Sequence, residues 1–173
     1  MGIGHTGPMA TLLVVHHSPT RGVGLLTEAV LDGTGDEAIE GVEVVVRPAL
    51  EATAEDVLAA DGYLLGTPAN FGYMSGALKH FFDSTFLAVG GALSDDGSAG
   101  GSSDQGTTRG RPFGLYVHGR YDTAGAVRSV QSIVGALQWR QAAEVLEVMG
   151  DVTEDHTGAA YELGATLAAL LIS

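Results

Sequence analysis

A short apolar strand, a polar loop and an amphipathic helix follow one another between Gly62 and Phe86. The run 63–65 is apolar without alternation, which is typical of a strand buried on both faces of a parallel sheet. After the loop, apolar residues recur at offsets of 4, 7 and 8 from Met74, which predicts a helix. The loop 67–73 therefore follows the carboxyl end of a buried strand, the edge at which open α/β sheets bind ligands.

The residues of this loop suit a flat, partly polar ligand. Thr67 and Asn70 offer side-chain hydrogen bonds, Gly72 allows close approach of the backbone, and Phe71 and Tyr73 add aromatic faces. The same residue types are common in turns that only connect a strand to a helix. From the residues alone, a ligand-binding loop and an ordinary turn both remain open.

The segment GTPANFGYMSGALKHFFD resembles the motif GTP-x-x-(F/Y)-G-x-M-S-x-x-(L/M)-K-x-F-x-D of flavodoxin-like FMN proteins. It is most similar to the NAD(P)H-dependent FMN and quinone reductases of the tryptophan-repressor-binding-protein type, in which this loop holds the ring and ribityl chain of FMN. The resemblance implies FMN contacts from Thr67, Pro68, Ala69, Asn70, Phe71 and Gly72. It also implies that the following helix lies near a subunit interface and that the protein is a homodimer.

Composition and charge exclude several classes of protein. Eight basic against 21 acidic residues give a formal net charge of −13, which argues against nucleic acid or an anionic membrane as a partner. The absence of cysteine excludes disulfides, thiolate nucleophiles and cysteine-ligated metal centres. No apolar run approaches the ~20 residues that cross a bilayer, and the first ten residues lack the pattern of a signal peptide. We therefore expect a cytoplasmic protein.

A second strand, loop and helix lie near the start of the chain. Residues 11–15 form an apolar run, and the polar segment after it leads into a helix whose apolar positions begin at Val23. A helix that opens at the carboxyl end of a strand favours anions through its free amides and its dipole. The segment matches neither the nucleotide-binding loop Gly-x-x-x-x-Gly-Lys-Ser/Thr nor the dinucleotide fingerprint Gly-x-Gly-x-x-Gly. It resembles the phosphate loop of flavodoxins, which implies that it holds the FMN phosphate; the candidate contacts are Ser18, Thr20, Arg21 and Gly22.

Two histidines end the first strand, and a further polar loop follows the strand predicted at 113–117. His16 and His17 have no Asp or Glu at ligand spacing beside them, so we predict no metal site. In flavodoxin-like reductases the loop after the fourth strand lines the pyrimidine edge of the flavin. The resemblance therefore implies FMN contacts from His118, Gly119 and Arg120, with His118 tuning the reduced flavin; an ordinary polar loop is the alternative. No other catalytic residue is indicated.

Strands and helices alternate along the chain, with a fifth strand predicted at 143–149, which predicts an α/β protein with a parallel sheet. The resemblance specifies a flavodoxin-like three-layer α/β/α sandwich whose five-stranded sheet has the order 2-1-3-4-5, with FMN between the first and third strands. We expect residues 1–10 to be a flexible segment and 11–173 one domain. The Gly, Ser and Asp-rich stretch at about 88–110 is expected to be a flexible insertion.

The function that the resemblance implies is an FMN-dependent oxidoreductase. NADPH or NADH would be its transient electron donor, and a quinone, a flavin or a similar small molecule its acceptor. The alternative is a flavodoxin-type electron carrier without nicotinamide-dependent activity of its own. A flavodoxin-like domain that has lost its flavin is a third possibility.

Overall fold

The computed structural model of the protein describes residues 7–98 and 107–173. The strands are β1 (Ala10–His16), β2 (Val42–Pro48), β3 (Gly62–Asn70), β4 (Tyr73–Met74), β5 (Pro112–Gly119), β6 (Arg140–Gln141) and β7 (Leu146–Met149). The helices are α1 (Arg21–Thr34), α2 (Ala54–Ala59), α3 (Gly76–Thr85), α4 (Ala124–Ala136) and α5 (Glu154–Leu170).

The sheet has the order β2-β1-β3-β5, and β6 and β7 both pair with the free edge of β5. All of these pairings are parallel. Counted by its long strands, the sheet has the predicted order 2-1-3-4-5, and the flavodoxin-like α/β fold is confirmed. The carboxyl ends of β1, β3, β5 and β7 therefore meet at one edge of the sheet.

Each face of the sheet has its own core and its own helices. Leu13 and Val15 of β1 pack with α2, α3 and α4 on one face. Leu12 and Val14 point the other way and pack with α1 and α5. Because successive residues of a strand point to opposite faces, an uninterrupted apolar run can fill both cores.

Local signals in the sequence begin and end several elements. A capping box starts α2: the Asp56 amide donates to Thr53 Oγ1 (3.2 Å), and the Thr53 amide donates to Asp56 Oδ2 (3.0 Å). Ser75, which follows β4, caps α3 by accepting from the Leu78 amide at 3.2 Å. These bonds satisfy first-turn amides that have no partner inside the helix.

The start predicted for the fifth strand was wrong. The chain first pairs with β5 at Arg140–Gln141, leaves it after Ala142, whose amide donates to Phe113 O at 2.9 Å, and rejoins it at Leu146. The strand predicted at 143–149 therefore corresponds to β7 alone, and the short strand β6, which lies along the same edge of β5, was not predicted. Only the second of them reaches the edge of the sheet where the loops gather.

The two ends of the predicted insertion are packed. Val89 and Thr108 are buried, and Thr108 Oγ1 donates to Val89 O at 2.7 Å while it accepts from Trp139 Nε1 at 2.8 Å. Residues 1–6 and 99–106 lie outside the described residues, so the flexible terminus and the flexible insertion stay predictions. Within the described part of the chain, no helix combines the length and apolar character that crossing a membrane requires.

Candidate functional site

An open cavity of about 580 Å³ lies at the carboxyl edge of the sheet. Its size is within the range of small-molecule sites in proteins. Four segments at the carboxyl ends of β1, β3, β5 and β7 form its walls: the start of α1, the last residues of β3, the last residues of β5 with Arg120, and residues 150–152 after β7. The lining residues are Thr20, Arg21, Gly22, Leu25, Pro68, Ala69, Asn70, His118, Gly119, Arg120, Gly150, Asp151 and Val152.

The loop after β1 presents the amino-terminal end of α1 to this cavity. The first hydrogen bond of the helix runs from the Gly24 amide to Thr20 O (3.0 Å), and the Thr20 side chain makes no cap. Among residues 7–98 and 107–173, the amides of Arg21, Gly22 and Val23 therefore have no acceptor. Free amides and the positive end of the helix dipole both favour a bound anion.

One imidazole ring holds three of the four loops together. His118 Nε2 lies 2.7 Å from Gly150 O, and because a carbonyl only accepts, Nε2 carries the proton and donates. The same ring lies against the backbone of Gly22, where a methyl group would overlap it. A glycine at position 22 is thus what allows His118 to bridge the loops after β1 and β7.

The loop after β3 is a tight hairpin formed by β3 and β4. Asn70 pairs with Tyr73, and the two turn residues Phe71 and Gly72 both have positive φ, 51° and 76°. Two-residue hairpins favour this turn because its twist matches that of the strands, although a non-glycine residue is strained in it. The Phe71 side chain is fully exposed at the tip of the turn.

The structure brings together nine of the thirteen residues predicted to contact the cofactor. Those that line the cavity are Thr20, Arg21, Gly22, Pro68, Ala69, Asn70, His118, Gly119 and Arg120. The other four, Ser18, Thr67, Phe71 and Gly72, lie outside its lining, and their roles as contacts stay predictions.

Two of these four have hydroxyl groups that bond within the protein. Ser18 Oγ lies between His16 Nδ1 (2.9 Å) and Thr27 Oγ1 (2.8 Å). Thr67 is fully buried, where its hydroxyl donates to Pro68 O (2.8 Å) and accepts from the Ser75 amide (2.9 Å). Thr67 thereby fixes the start of the hairpin to the start of α3.

The sequence-based prediction missed Leu25 and the loop after β7, which is residues 150–152. This loop is tied to the loop after β5 by the His118–Gly150 bond and by an exposed ion pair between Arg120 and Asp151 (3.1 Å). The polar segment that begins at Gly150 and follows a predicted strand was the available signal, since a polar segment after a strand had indicated the other loops.

Comparison with known proteins places these features in a family. The family model described as NADPH-dependent FMN reductase matches residues 26–151, which is more than half of the 173 residues. A flavodoxin from Aquifex aeolicus is 35% identical over 104 residues, covering 56% of this chain and 55% of that protein. An NAD(P)H dehydrogenase (quinone) from Acidithiobacillus ferrooxidans is 30% identical over 97 residues, covering 44% and 48%. The chain thus spans about half the length of these relatives.

Solved structures show the same fold at low sequence identity. A flavodoxin from the domain Archaea superposes with a TM-score of 0.73 at 15% identity, covering 94% of this chain and 99% of that one. A flavodoxin, WrbA-like protein from Agrobacterium tumefaciens gives 0.69 at 16% identity, covering 94% and 98%. With this fold and with the family model matched across α1 to β7, the chain belongs to the NADPH-dependent FMN reductase family.

Proposed function

We propose that the protein binds FMN in the cavity and acts as an NAD(P)H-dependent oxidoreductase that passes electrons to a quinone, a flavin or a similar small acceptor. The observation that carries this proposal is the cavity itself. It lies at the switch point between β1 and β3, with unused helix amides in the β1 loop and backbone walls from the β3 and β5 loops. FMN, when bound, supplies the redox chemistry, and the protein binds and orients it.

The β1 loop fits a phosphate monoester. Three amides at the start of α1 have no acceptor within the described residues, and the exposed guanidinium of Arg21 has no ion pair there. The Thr20 hydroxyl is likewise exposed and without a partner among those residues. In a chain with a net charge of −13, this concentration of donors favours an anion at this position.

The opposite end of the cavity fits a planar group. Pro68, Ala69 and Asn70 form one wall, and Gly119 lies so close to them that a methyl group there would stand 3.1 Å from Ala69 Cβ. Because Gly119 has no side chain, a flat ring can approach the backbone of this wall closely. His118 is bonded to Gly150 and packs on Gly22, so it acts as a positioning residue for the loops.

A flavodoxin-type electron carrier is the second candidate function. It is supported by the 35% identity with the Aquifex aeolicus flavodoxin. It is also supported by two aromatic side chains, Phe71 and Tyr121, that are almost completely exposed in the β3 and β5 loops. A carrier would use such a rim against a protein partner, whereas a reductase must admit a nicotinamide.

Absorption spectroscopy of the purified protein, with FMN added and then NADPH or NADH under anaerobic conditions, separates these functions. The reductase is supported when bound flavin bleaches on addition of a nucleotide and recovers when a quinone is added. Bound flavin that neither nucleotide reduces would support the carrier. Failure to bind FMN would overturn both.

A pair of glycine substitutions in α1 tests whether the cavity is the FMN site. Gly22→Ala places a methyl group against the His118 ring, which must leave Gly150, whereas a methyl group at Gly24 meets no atom within 4 Å. We expect Gly22→Ala to weaken FMN binding about tenfold or more, and Gly24→Ala to leave it unchanged. Equal FMN affinities of the two variants would contradict this placement of the site.

A homodimer and a cytoplasmic location complete the proposal, and both rest on the family. Light scattering during gel filtration should give twice the 17.7 kDa of one chain. A mass of one chain would contradict the dimer.

A further inference from the structure

A second cavity of about 400 Å³ forms a groove between α3 and α4. We call it the α3–α4 groove. Its lining residues are Tyr73, Lys79, Gly125, Arg128, Ser129, Ser132 and Ile133. Tyr73 directly follows the Phe71–Gly72 turn, so the groove begins where the hairpin beside the proposed FMN site ends.

Close packing fixes where the groove lies relative to that turn. A methyl group on Gly125 would collide with Gly72 O, so the first turn of α4 rests on the backbone of the hairpin. The residues of α4 that line the groove, from Gly125 to Ile133, follow one face of the helix. At 1.5 Å per residue they extend about 12 Å away from the hairpin.

The two positively charged side chains of the groove differ in whether an acidic residue neutralises them. Lys79 Nζ is paired with Asp83 Oδ1 at 2.7 Å, which neutralises it. Arg128 is exposed and has no hydrogen bond or ion pair with any residue in the described ranges 7–98 and 107–173. The groove thus carries one free positive charge.

Hydroxyl groups stand beside this charge. Ser132 lies one helical turn after Arg128, is exposed, and has no hydrogen bond within the described part of the chain. Ser129 Oγ donates to Ala126 O at 2.9 Å, so its oxygen can still accept. A guanidinium with a neighbouring hydroxyl donor is a combination suited to a phosphate group, which a planar, forked donor can bind through two bonds.

We propose that the α3–α4 groove binds a phosphate group of the NAD(P)H donor, with Arg128 as its main ligand. This inference rests on the proposed function, because it assigns the place of the donor at the same site. A dinucleotide whose nicotinamide reaches the cavity must place its phosphates some distance away, and the groove starts at the hairpin and extends about 12 Å from it. Its free positive charge offsets the repulsion of an anionic donor by an acidic protein.

Substitution of Arg128 in the FMN-loaded protein tests the proposal. At low salt, Arg128→Ala should raise the Kd of NADPH, measured by stopped-flow reduction, about tenfold. Arg128→Lys keeps the charge and should retain part of the affinity. Arg140→Ala is the matched control, since Arg140 is exposed, has no side-chain partner within the described residues and does not line the groove.

The comparison of NADPH with NADH identifies the phosphate. A loss for NADPH alone assigns the groove to the 2′-phosphate, and an equal loss for both donors assigns it to the pyrophosphate. If Arg128→Ala changes neither Kd, or if Arg140→Ala changes them equally, the proposal is overturned.

A second measurement distinguishes failure of the groove from failure of the proposed function. NADP⁺ and NAD⁺ are titrated calorimetrically into wild-type and Arg128→Ala protein, which needs no flavin reduction. NADP⁺ binding that Arg128→Ala weakens supports the groove even if neither NADPH nor NADH reduces the flavin. Absence of NADP⁺ and NAD⁺ binding to the wild-type protein, or equal binding to both proteins, would overturn it.

Discussion

The hydroxyl of Tyr116 begins a chain of hydrogen bonds that leads from the core to the β1 loop. Tyr116 is fully buried. Among the described residues, its hydroxyl has one hydrogen-bond partner, Thr27 Oγ1 at 2.8 Å. Tyr116 must donate, because an accepting Tyr116 would leave its own proton without a partner. Thr27 then donates to Ser18, and Ser18 reaches Nδ1 of a neutral His16. The β1 loop is thus anchored to the centre of the protein.

Removal of the Thr27 hydroxyl should lower the free energy of unfolding more than removal of the Tyr116 hydroxyl. Thr27→Val keeps the shape of the side chain but leaves the buried Tyr116 proton without an acceptor, which costs about 1–3 kcal/mol. Tyr116→Phe removes donor and proton together and should cost about 1 kcal/mol. In the double variant no donor is stranded, so it should be more stable than the sum of the two losses predicts. Urea unfolding of the wild-type protein, the two single variants and the double variant measures these losses of stability. If the two losses are additive, the direction assigned to the hydrogen bonds is contradicted.

The charge of His16 should link the stability of the fold to pH. Burial, and then the neighbouring His17, lower the pKa of His16 below its ordinary value of 6.5. The unfolded chain therefore binds a proton more readily than the native protein does. The resulting contribution to stability is complete above pH 6.5 and is lost as the pH falls from 6.5 toward the native pKa.

The variant His16→Asn isolates this effect, since Asn Oδ1 can accept from Ser18 but does not titrate. Below pH 6.5, the unfolding free energy of the wild-type protein should fall more steeply with decreasing pH than that of His16→Asn. The acidic residues that both proteins share cancel in the difference. Parallel pH profiles would show that His16 is not responsible.

The limits of prediction at this scale follow from the distance along the chain between bonded partners. Ser18 was predicted to contact a phosphate because it follows a strand and precedes a helix. In the structure its hydroxyl belongs to a chain that ends at Tyr116, and the link from Thr27 to Tyr116 spans 89 residues. Local sequence identifies which loop faces the site. It does not identify which hydroxyls in that loop bond inward instead.

At the scale of elements, α1 and α5 pack through glycines. A methyl group on Gly164 of α5 would collide with Val30 O, and one on Gly33 of α1 would collide with Tyr161 O. Each helix therefore presents bare backbone to the other, which allows a close approach that larger residues would prevent. This packing fixes the helix whose amino-terminal end faces the cavity.

Two alanine substitutions in α5 should have opposite effects. Gly164→Ala must push the helices apart and should destabilise the protein by about 1–3 kcal/mol. Gly158→Ala lies in the same helix, where a methyl group meets no atom within 4 Å, and should stabilise it by up to about 1 kcal/mol through helix propensity. Thermal or urea unfolding measures both. A destabilisation of the same size at the two positions would contradict the role assigned to Gly164.

Strands with an uninterrupted apolar run were predictable, and strands that depend on pairing were not. The runs 11–15 and 113–117 correspond to β1 and β5 because burial on both faces demands apolar residues throughout. The two-residue strand β4 has no such pattern, since it exists only through pairing with the end of β3. The interruption between β6 and β7 likewise leaves no local signal.

At the scale of the whole molecule, a parallel sheet gathers distant loops at one edge, and this made most of the candidate site predictable. Three of the four segments around the cavity were predicted from polar residues that follow apolar strands. The α3–α4 groove was not found, because it depends on how two helices separated by 38 residues lie side by side. Fold topology thus predicts where a site forms better than it predicts how far the site extends.

Flavin binding should stabilise the whole molecule, and the size of the effect should depend on the phosphate. A ligand at 100 times its Kd adds about 2.7 kcal/mol to the stability of the native state. For a domain of this size this raises Tm by about 5–10 °C. Riboflavin has the same ring but cannot use the amides of α1 or Arg21, so at equal concentration its shift should be clearly smaller.

Calorimetric or fluorescence melting curves with FMN, with riboflavin and without flavin give this comparison. A larger shift with FMN than with riboflavin, reduced by added salt, supports a phosphate held at the start of α1, because exposed charges are screened. Equal shifts would mean that the ring alone binds and that the β1 loop is not a phosphate site. If neither flavin shifts Tm, the cavity does not bind flavin.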